Sequence, residues 1–512
     1  MNPVEGIYKQ TRKMIIFTVV MIALCRFTKG YFGIVMVAMG IGCAAANKFG
    51  WSLVYFVIMP FFVIMNPGIL PKSSAFAYAL RFGPLLIGLV LAFQGMSRKG
   101  RHRLPFIYMM PFLVAALLSV LDSWAPQISL MKWVNFVVFL FGIWYGTQNL
   151  QYRVADVFIL RSFFLSLACV LVFGSVALLP FPGISYATSL SSALAEGGME
   201  YAQEVFKNIQ ADEMTTLFCG ITNHSQAFAP VLVCTFGWVV CDMLFVERRF
   251  RWLHLALILV SFPLLYMTRS RVALVSTAFT LVIINFYVVR RVELPQKVRN
   301  KLRQGLLLGG ILIGIGVVVM QVQGGKMSQW IRKTNDVEYD KRSLVDALTG
   351  SRMGLIDQSM REFRRNPLIG SGFQVAEYTR DLMKAMRGKL VISASIEKGI
   401  LPVMVLGETG ILGASTFLIF LVMFYMTCAR RQYYVTITMF SILIATNMGE
   451  ATFFSPGGGG GILWIVSTVG GFTLDTVILH RSTLEHDLAE LDFWERQRAA
   501  EAESGREPPD DF

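Results

Sequence analysis

Long apolar runs separated by short polar links dominate the pattern of this chain. Most runs are close to the roughly 20 residues that a helix needs to cross a bilayer. The links between them are short and mostly basic, so neighbouring runs are predicted to be antiparallel helices. We predict about fourteen spans, with twelve as the lower bound because the first three runs are short, at 14–28, 31–46, 51–65, 76–96, 104–121, 130–147, 155–180, 223–246, 252–268, 272–290, 305–322, 400–429, 434–451 and 462–479.

The distribution of Lys and Arg predicts which way the helices run. Cytoplasmic loops of membrane proteins carry an excess of these two residues. An N-terminus in the cytoplasm places the main basic clusters on that side, namely Lys9 with Arg12 and Lys13, and the links 97–103, 247–251, 290–303 and 429–431. The opposite orientation would place all of them outside. With fourteen spans, both termini are therefore expected in the cytoplasm.

The same pattern divides the chain into four parts. Residues 1–322 hold the first eleven spans and include an external loop at 181–222. Residues 323–399 form a large external loop with amphipathic helices, and residues 400–479 hold the last three spans. Residues 480–512 form an acidic cytoplasmic tail. The expected fold is an all-α polytopic membrane protein whose largest polar insertion lies between spans 11 and 12.

Composition supports a membrane protein and excludes other classes. The 512 residues are 54% hydrophobic and 16% charged, whereas a soluble domain carries about 25% charged residues. The formal net charge of +14 does not indicate nucleic acid, because the basic links explain it. The seven cysteines occur singly, without a CxxC pair. That distribution argues against a zinc site and against a disulfide framework.

The large external loop is basic, although it lies on the side where positive charge is not favoured. Residues 323–398 contain fourteen Lys and Arg against nine Asp and Glu, a net charge of +5. Long loops escape the inside-positive bias, so topology permits this charge without explaining it. An anionic substrate would explain it.

The stretch GSRMGLIDQSMREFRRNPLIGSGF (350–373) is the most regular part of this loop. An amphipathic helix that lies flat in the headgroup layer is predicted here. The apolar residues at helical spacing are Met353, Ile356, Met360 and Phe363. Two interpretations of the arginines stay open. They contact anionic lipid, or one or more of them, Arg352 first, bind a phosphate through the planar guanidinium fork.

Several further charged groups lie at the outer ends of predicted spans. They are Arg81, Lys132, His224, Arg269 and Arg271, together with Glu397 and Lys398 just before span 12. Charge inside a membrane is costly and is by default a functional hypothesis. The plainer alternatives are snorkelling of long side chains to the headgroups, a structural role for the histidine, and a favourable helix-end charge for the glutamate. Together these groups would line a cation-rich cavity suited to a lipid-linked diphosphate.

Five stretches between residues 120 and 430 resemble the core of the O-antigen ligase and polymerase superfamily. In chain order they are SWAPQISLMKW (123–133), GITNHSQAFAP (220–230), TRSRVALV (268–275), the 350–373 stretch and IEKGILPVMVLGETGILG (396–413). Each motif is short, and their order and spacing make the set specific. The second stretch departs from the family pattern, because Ser225 and Gln226 replace the usual Pro-Asn or Ser-Asn.

The resemblance implies a fold and an activity. Members of this family are GT-C-like membrane glycosyltransferases that act on undecaprenyl-diphosphate-linked glycans at the periplasmic face of the bacterial inner membrane. Polymerases join repeat units of O-antigen, capsule or exopolysaccharide, whereas ligases transfer finished chains to a lipid A core or to a protein. No cofactor and no metal are implied, because arginines neutralise the diphosphate leaving group.

One departure favours a polymerase over a ligase. Ligases carry a histidine eleven residues before the first of the paired glycines, and here that position is Gly399. The alternatives that stay open are a ligase, a glycolipid transporter or flippase, and a scaffold of an export complex. The inner halves of the spans are expected to hold few polar groups, which counts against transport. Membrane lipid, chain-length regulators and export-complex proteins are the expected partners.

The resemblance and the charge pattern together assign roles to the site residues. The expected ligands of the diphosphate are Arg269, Arg271 and Arg352, supported by Lys132, Arg81 and Lys398. The expected base is Glu397, with His224 in reserve, because a carboxylate at an apolar boundary suits proton transfer near neutral pH.

Three residues of span 12 are expected to be structural. At about 100° per residue, Glu408 lies within about 20° of Glu397 if the helix begins by residue 397. Glu408 would then be buried three turns deeper and would need an Arg or Lys from a neighbouring span. Gly410 and Gly413 are expected to let another helix approach closely.

Overall fold

Helices make up every regular element in the described part of the chain. The computed structural model describes all residues except 1–2, 67, 71–73, 98–103, 151–153, 182–217, 248–250, 269, 290–295, 323–343, 377–399, 450–451 and 480–512. Among the described residues, Met65 and Thr222 form an isolated antiparallel bridge outside the helices. The all-α class predicted from the sequence is confirmed.

The helices are numbered in chain order. They are α1 (Pro3–Phe27), α2 (Phe32–Ala45), α3 (Phe49–Val63), α4 (Ser74–Met96), α5 (Met110–Val120), α6 (Pro126–Asn149), α7 (Val154–Ala177), α8 (Ser225–Cys241), α9 (Trp252–Met267), α10 (Arg271–Ile283), α11 (Gln296–Val322), α12 (Leu344–Arg365), α13 (Leu401–Arg430), α14 (Tyr434–Asn447), α15 (Gly459–Ile465) and α16 (Gly471–Leu479). A 3-10 turn, Phe106–Met109, leads into α5. Three π-helical segments extend α8, extend α10 and join α15 to α16, at Asp242–Glu247, Ile284–Val288 and Val466–Gly470.

Each of the fourteen predicted apolar runs coincides with a helix of the structure. Among the described residues, six helices are by length and composition apolar enough to cross a membrane, at Ala75–Met96, Pro126–Asn149, Ala155–Ala177, Ala227–Glu247, Leu401–Arg430 and Gly459–Leu479. Shorter apolar helices of 10–17 residues accompany them. The chain therefore has the helices of a membrane protein, whereas the count of fourteen spans and the GT-C-like arrangement stay predictions.

Three helix starts differ from the predictions: α1 begins at Pro3, eleven residues before its apolar run at 14, and α11 and α13 also differ. Helix α11 begins at Gln296 rather than at 305, because the Lys, Arg and Gln residues before the run are good helix formers. Helix α13 begins at Leu401, after an extended Ile400, with Pro402 in its first turn. Proline is favoured in the first turn of a helix, because an N–H group at that position would have no acceptor within the helix. The assumption that this helix begins by residue 397 is therefore wrong, and the predicted common face of two glutamates does not follow.

Aromatic rings pack the elements that surround the site. Phe454 lies 5.1 Å from Phe112, 5.2 Å from Phe136, 5.4 Å from Phe373 and 5.8 Å from Phe417, measured between ring centroids. Tilted, stacked and edge-to-face pairs at such distances add to the energy of apolar burial. The five rings come from α5, α6, α13, the segment after α12 and the segment before α15. These rings thereby hold the five elements together.

Candidate functional site

A segment that follows α12, residues 366–376, is here called the seated loop. Its residues 370–376 are all buried. The Phe373 ring contacts Phe136 and Phe454, and the Phe373 carbonyl accepts a 2.9 Å hydrogen bond from the Ser129 hydroxyl on α6. A loop carries many backbone polar groups, so its burial requires partners for them. Helix α13 supplies several of those partners.

Helix α13 is broken at Gly410, where φ is +63° and ψ is −166°. In an unbroken helix, Ile411 and Leu412 would donate to the carbonyls of Gly407 and Glu408. The seated loop enters this break and replaces the two lost bonds by four. Ser371 N donates to Gly407 O (3.1 Å), Gly372 N to Glu408 O (3.1 Å), Ile411 N to Pro367 O (2.9 Å) and Leu412 N to Leu368 O (3.2 Å). Interrupted helices in apolar surroundings require such satisfaction of the freed groups.

Glycines make this close approach possible. A Cβ on Gly370 would overlap the carbonyl of Glu408, and a Cβ on Gly410 would overlap the carbonyl of Leu368. Gly370 also has a φ of +77°, which side-chain-bearing residues rarely adopt. The prediction that Gly410 and Gly413 admit another helix is wrong in detail. A loop, not a helix, approaches Gly410, and the atoms nearest to Gly413 belong to Thr409 of its own helix.

Two buried charges hold the backbone of Gln374. The Glu408 side chain accepts a 2.9 Å bond from the Gln374 N–H, and the Lys132 ammonium donates a 3.0 Å bond to the Gln374 carbonyl. Both charged residues are at most 3% exposed. Gln374 has a φ of +54° and donates from its side-chain amide to the Phe454 carbonyl. A cation from α6 and an anion from α13 therefore flank one residue, and the Gln374 backbone N–H is one partner of Glu408.

A third buried charge, Glu362, was missed in the sequence. It is 3% exposed, accepts a 3.3 Å bond from the Ser371 hydroxyl and accepts a 3.4 Å bond from the Gln358 amide. Ser359 lies one turn earlier, and a Cβ on Gly407 would lie 2.8 Å from its carbonyl. Helix α12 therefore packs on α13 through a polar and small-residue face. The sequence signal for this contact was the polar pair Ser359 and Glu362 on α12, together with Gly407 on α13.

The described apolar residues predicted to face the membrane on α12 are only half-buried. These residues are Ile356, Met360 and Phe363, and the side chain of Met353 lies outside the described residues. The fully buried side of the helix carries Ser359 and Glu362 instead. Contact with α13 determines which side of α12 is buried, and the helix that lies flat in the headgroup layer stays a prediction.

The turn between α5 and α6 closes the other side of the seated loop. The Asn366 amide donates to the Asp122 carboxylate. The Arg365 guanidinium lies 4.0 Å above the centre of the Trp124 ring, a cation–π geometry. A Cβ on Gly372 would overlap the Ser123 side chain. The seated loop is thus fixed between the α5–α6 turn and the break in α13.

The remaining predicted site residues lie in different surroundings. Arg81 is exposed on α4, and His224 is partly buried just before α8, where its carbonyl accepts from Ala227 N and Phe228 N. Arg271 is the first residue of α10, whose N-cap hydroxyl of Ser270 accepts from Ala273 N at 3.3 Å. Arg352 lies within α12. The side chains of Arg271 and Arg352, and the whole of Arg269, Glu397 and Lys398, lie outside the described residues.

A second buried cluster, here called the charge cluster, joins α7, α8 and α9. Asp242 accepts from Arg161 (Nε to Oδ1, 2.6 Å) and is 2.9 Å from His254 Nε2. Glu247 bridges Arg161 and Arg251, each at 2.5 Å. Arg161, Asp242 and His254 are at most 1% exposed. None of Arg161, Asp242 and His254 was among the predicted site residues.

The described side chains include no candidate metal site, and comparison with known proteins gives no match. Among the described side chains, no three His, Cys, Asp or Glu residues are grouped so that they could hold a metal ion. Models of known protein families do not match the chain, and curated proteins do not match it either. The family resemblance of the five stretches therefore enters the functional argument as a proposal.

Proposed function

We propose that this chain is a membrane glycosyltransferase that polymerises undecaprenyl-diphosphate-linked oligosaccharide repeat units for a cell-surface polysaccharide. The supporting observation is a convergence in space. Three of the five stretches that resemble the O-antigen ligase and polymerase superfamily meet at Gln374, which bonds Lys132 and Glu408 across 242 and 34 positions of sequence. Motifs that are distant in sequence and adjacent in space are what a shared functional site requires.

The proposed reaction forms one glycosidic bond and breaks one bond to phosphate. The acceptor hydroxyl oxygen attacks the anomeric carbon of the donor sugar, and the lipid diphosphate leaves with the electron pair of the broken bond. The hydroxyl proton passes to a base, for which Glu397 is the first choice and His224 the second. Arg269, Arg271 and Arg352 stabilise the departing diphosphate. A positioned base and preorganised cations are the two terms that lower such a barrier.

The seated loop has a positioning role in this proposal. Helix α12, which carries Arg352, runs directly into it, so the bonds that hold the loop also fix the end of that helix. Lys132 is buried and bonded to the loop carbonyl of Gln374. We therefore assign Lys132 to holding the loop, rather than to the diphosphate contact expected from its position in the sequence.

Purified protein with a synthetic lipid-diphosphate repeat unit tests the proposal. Wild type should convert single units into longer chains on the carrier lipid. Glu397→Ala should abolish product, and Arg269→Lys, which keeps the charge and loses the bidentate fork, should reduce turnover. Arg12→Lys on the exposed side of α1 is the matched control. Wild-type protein that yields no polymer would refute the proposal, and full activity of Glu397→Ala would remove that base.

A ligase is separated from a polymerase by the glycans that accumulate without the protein. Deletion of a polymerase leaves single repeat units, whereas deletion of a ligase leaves full-length chains on carrier lipid. Gly399 at the position of the ligase histidine favours the first outcome. Gel analysis of surface and lipid-linked glycans measures it directly.

Transport is a second candidate, and the charge cluster favours it. The inner halves of the spans were predicted to hold few polar groups, yet Arg161 near the start of α7, Asp242 directly after α8 and His254 at the start of α9 are buried together. Buried charge of this kind occurs in transport pathways. Reconstituted protein that moves a lipid-linked glycan between leaflets without lengthening it would favour transport over catalysis.

A further inference from the structure

Helix α11 is longer than a bilayer requires, and its excess length is basic. Its 27 residues, Gln296–Val322, span about 40 Å at 1.5 Å per residue, against a hydrocarbon core of about 30 Å. The first turns carry Lys297, Arg299, Lys301 and Arg303, and the apolar part follows. The basic turns therefore extend past the hydrocarbon into the headgroup region. This observation is independent of the proposed glycosyltransferase activity.

One face of α11 changes from cationic to apolar along the helix axis. Five residues on it are exposed, in the order Lys297, Lys301, Gln304, Leu308 and Ile311. At about 100° per residue they fall within an arc of about 80°. We call this face the α11 stripe. Its two apolar members are 57% and 52% exposed, so the stripe is open along its whole described length.

The opposite face of α11 packs on α10, which fixes the direction of the stripe. A Cβ on Gly310 would lie 3.2 Å from Val282 and 3.3 Å from the Ala278 carbonyl. Arg299 and Arg303 lie toward this inner side and are half-buried, and the Nε of Arg303 is buried without a hydrogen-bond partner among the described residues. The stripe therefore points away from the bundle, toward surrounding lipid.

Charge at the base of the stripe is not balanced by acids in the described structure. None of the described carboxylates forms an ion pair with Lys297, Lys301 or Arg303. Phe286 and Tyr287, at the end of α10, are 46% and 47% exposed. Exposed aromatic rings beside basic residues are typical of the interface between membrane and water. An anionic group at this depth would complement the unbalanced charge.

We propose that the α11 stripe binds an anionic phospholipid of the adjoining leaflet. The phosphate contacts Lys297 and Lys301, and an acyl chain lies along Leu308 and Ile311. The ten residues from Lys301 to Ile311 span about 15 Å, which equals half of the hydrocarbon thickness. The order of cations, an amide and apolar side chains matches the order of phosphate, ester and acyl chain in one lipid molecule.

Native mass spectrometry of the delipidated full-length protein tests this proposal. The probes are dioleoyl phosphatidylglycerol, phosphatidylcholine with the same chains, and undecaprenyl diphosphate. Lys297→Gln/Lys301→Gln should weaken phosphatidylglycerol binding about 30-fold, because each basic side chain contributes about fivefold near an anionic headgroup. The matched control is Arg12→Gln/Lys13→Gln, which removes two exposed charges from α1 and should change binding less than about twofold.

Two further variants keep the proposal open to refutation if the glutamine pair folds poorly. Lys297→Arg/Lys301→Arg retains both charges and should retain binding, whereas Leu308→Gln should weaken it several-fold through the acyl-chain contact alone. Equal binding of phosphatidylcholine and phosphatidylglycerol would overturn the proposal, as would equal losses in the stripe and α1 variants. Tighter, lysine-dependent binding of undecaprenyl diphosphate would replace phospholipid by the lipid carrier as the ligand.

Discussion

Replacing Gly370 by alanine places a methyl group where the structure leaves no room for one. The added Cβ would overlap the main chain at Glu408 and Thr409. These atoms belong to the break in α13 and cannot rotate away as a flexible side chain could. The φ of +77° adds backbone strain, because alanine rarely adopts this conformation. Both effects act on the same four hydrogen bonds between the seated loop and α13.

The magnitude of the two effects decides what the variant does. A left-handed conformation costs about 1–2 kcal/mol for a residue with a Cβ, and overpacking costs about 1–3 kcal/mol more. The four backbone bonds of the seated loop contribute about 0.5–1.5 kcal/mol each, or about 2–6 kcal/mol together. The penalty of about 2–5 kcal/mol is comparable with that sum. We therefore expect Gly370→Ala to release the seated loop while the packed helices stay folded.

Hydrogen–deuterium exchange of the purified protein measures this release. Amides of residues 366–376 and of 407–412 should exchange faster in Gly370→Ala than in wild type, whereas amides of the core helices should not change. Gly354→Ala is the matched control, because it lies in α12 and nothing lies within 4 Å of the added Cβ. Alanine there should leave both segments unchanged and stabilise the helix slightly.

Unchanged exchange at both segments of Gly370→Ala would refute the reasoning. It would mean that the loop does not occupy the break in α13 in the membrane protein. Faster exchange at 366–376 alone would show that α13 satisfies its own broken backbone without the loop, which also contradicts the four-bond arrangement.

Three further predictions concern the buried charged residues Lys132, Arg161 and Asp475. Lys132→Met should lower the melting temperature by leaving Glu408 as a buried uncompensated charge, at a cost of about 3–5 kcal/mol, and Lys132→Met/Glu408→Gln should recover part of the loss; additive losses would contradict the coupling. Arg161→Met should destabilise by a similar amount, since two buried carboxylates lose their shared partner, while exposed Arg81→Met should have little effect. Asp475→Ala should destabilise more than Asp475→Asn, because it removes both acceptors of the first backbone N–H groups of α14; equal melting temperatures would contradict this.

The helices could be predicted from the sequence because apolar runs of this length form helices in any membrane-like environment. The predicted helix starts were wrong where effects other than apolar burial determine the first turn. Helix propensity of polar residues extends α11 to Gln296, and Pro402 sets the first turn of α13. Neither effect changes the apolar pattern, so a search for apolar runs does not detect it. Whether each shorter helix spans the membrane depends on packing and tilt, which the pattern does not contain.

The candidate site could be predicted only in part. The cost of burying charge singled out Lys132 and Glu408, and both are buried. Their common partner is the backbone of Gln374, and a backbone group has no signature in the sequence. Glu362 was not singled out, because the burial of its side chain depends on how α12 packs in the folded protein. The buried charges therefore indicated where the site lies, whereas the hydrogen-bond partners of Lys132 and Glu408 depend on the backbone of the seated loop.

In the charge cluster, α-helical periodicity does not predict which residues lie on the same side of the helix. Asp242 and Glu247 are five residues apart, and at 100° per residue they would lie about 140° apart around an α-helix. The segment Asp242–Glu247 is instead π-helical. Hydrogen bonds in a π-helix run between residues i and i+5, so these two residues lie one turn apart on the same side. The π-helix thereby lets both carboxylates reach one guanidinium, that of Arg161. A buried arginine with two acids at i and i+5 therefore favours the local change of helix type, and a search for α-helical faces alone misses the partnership.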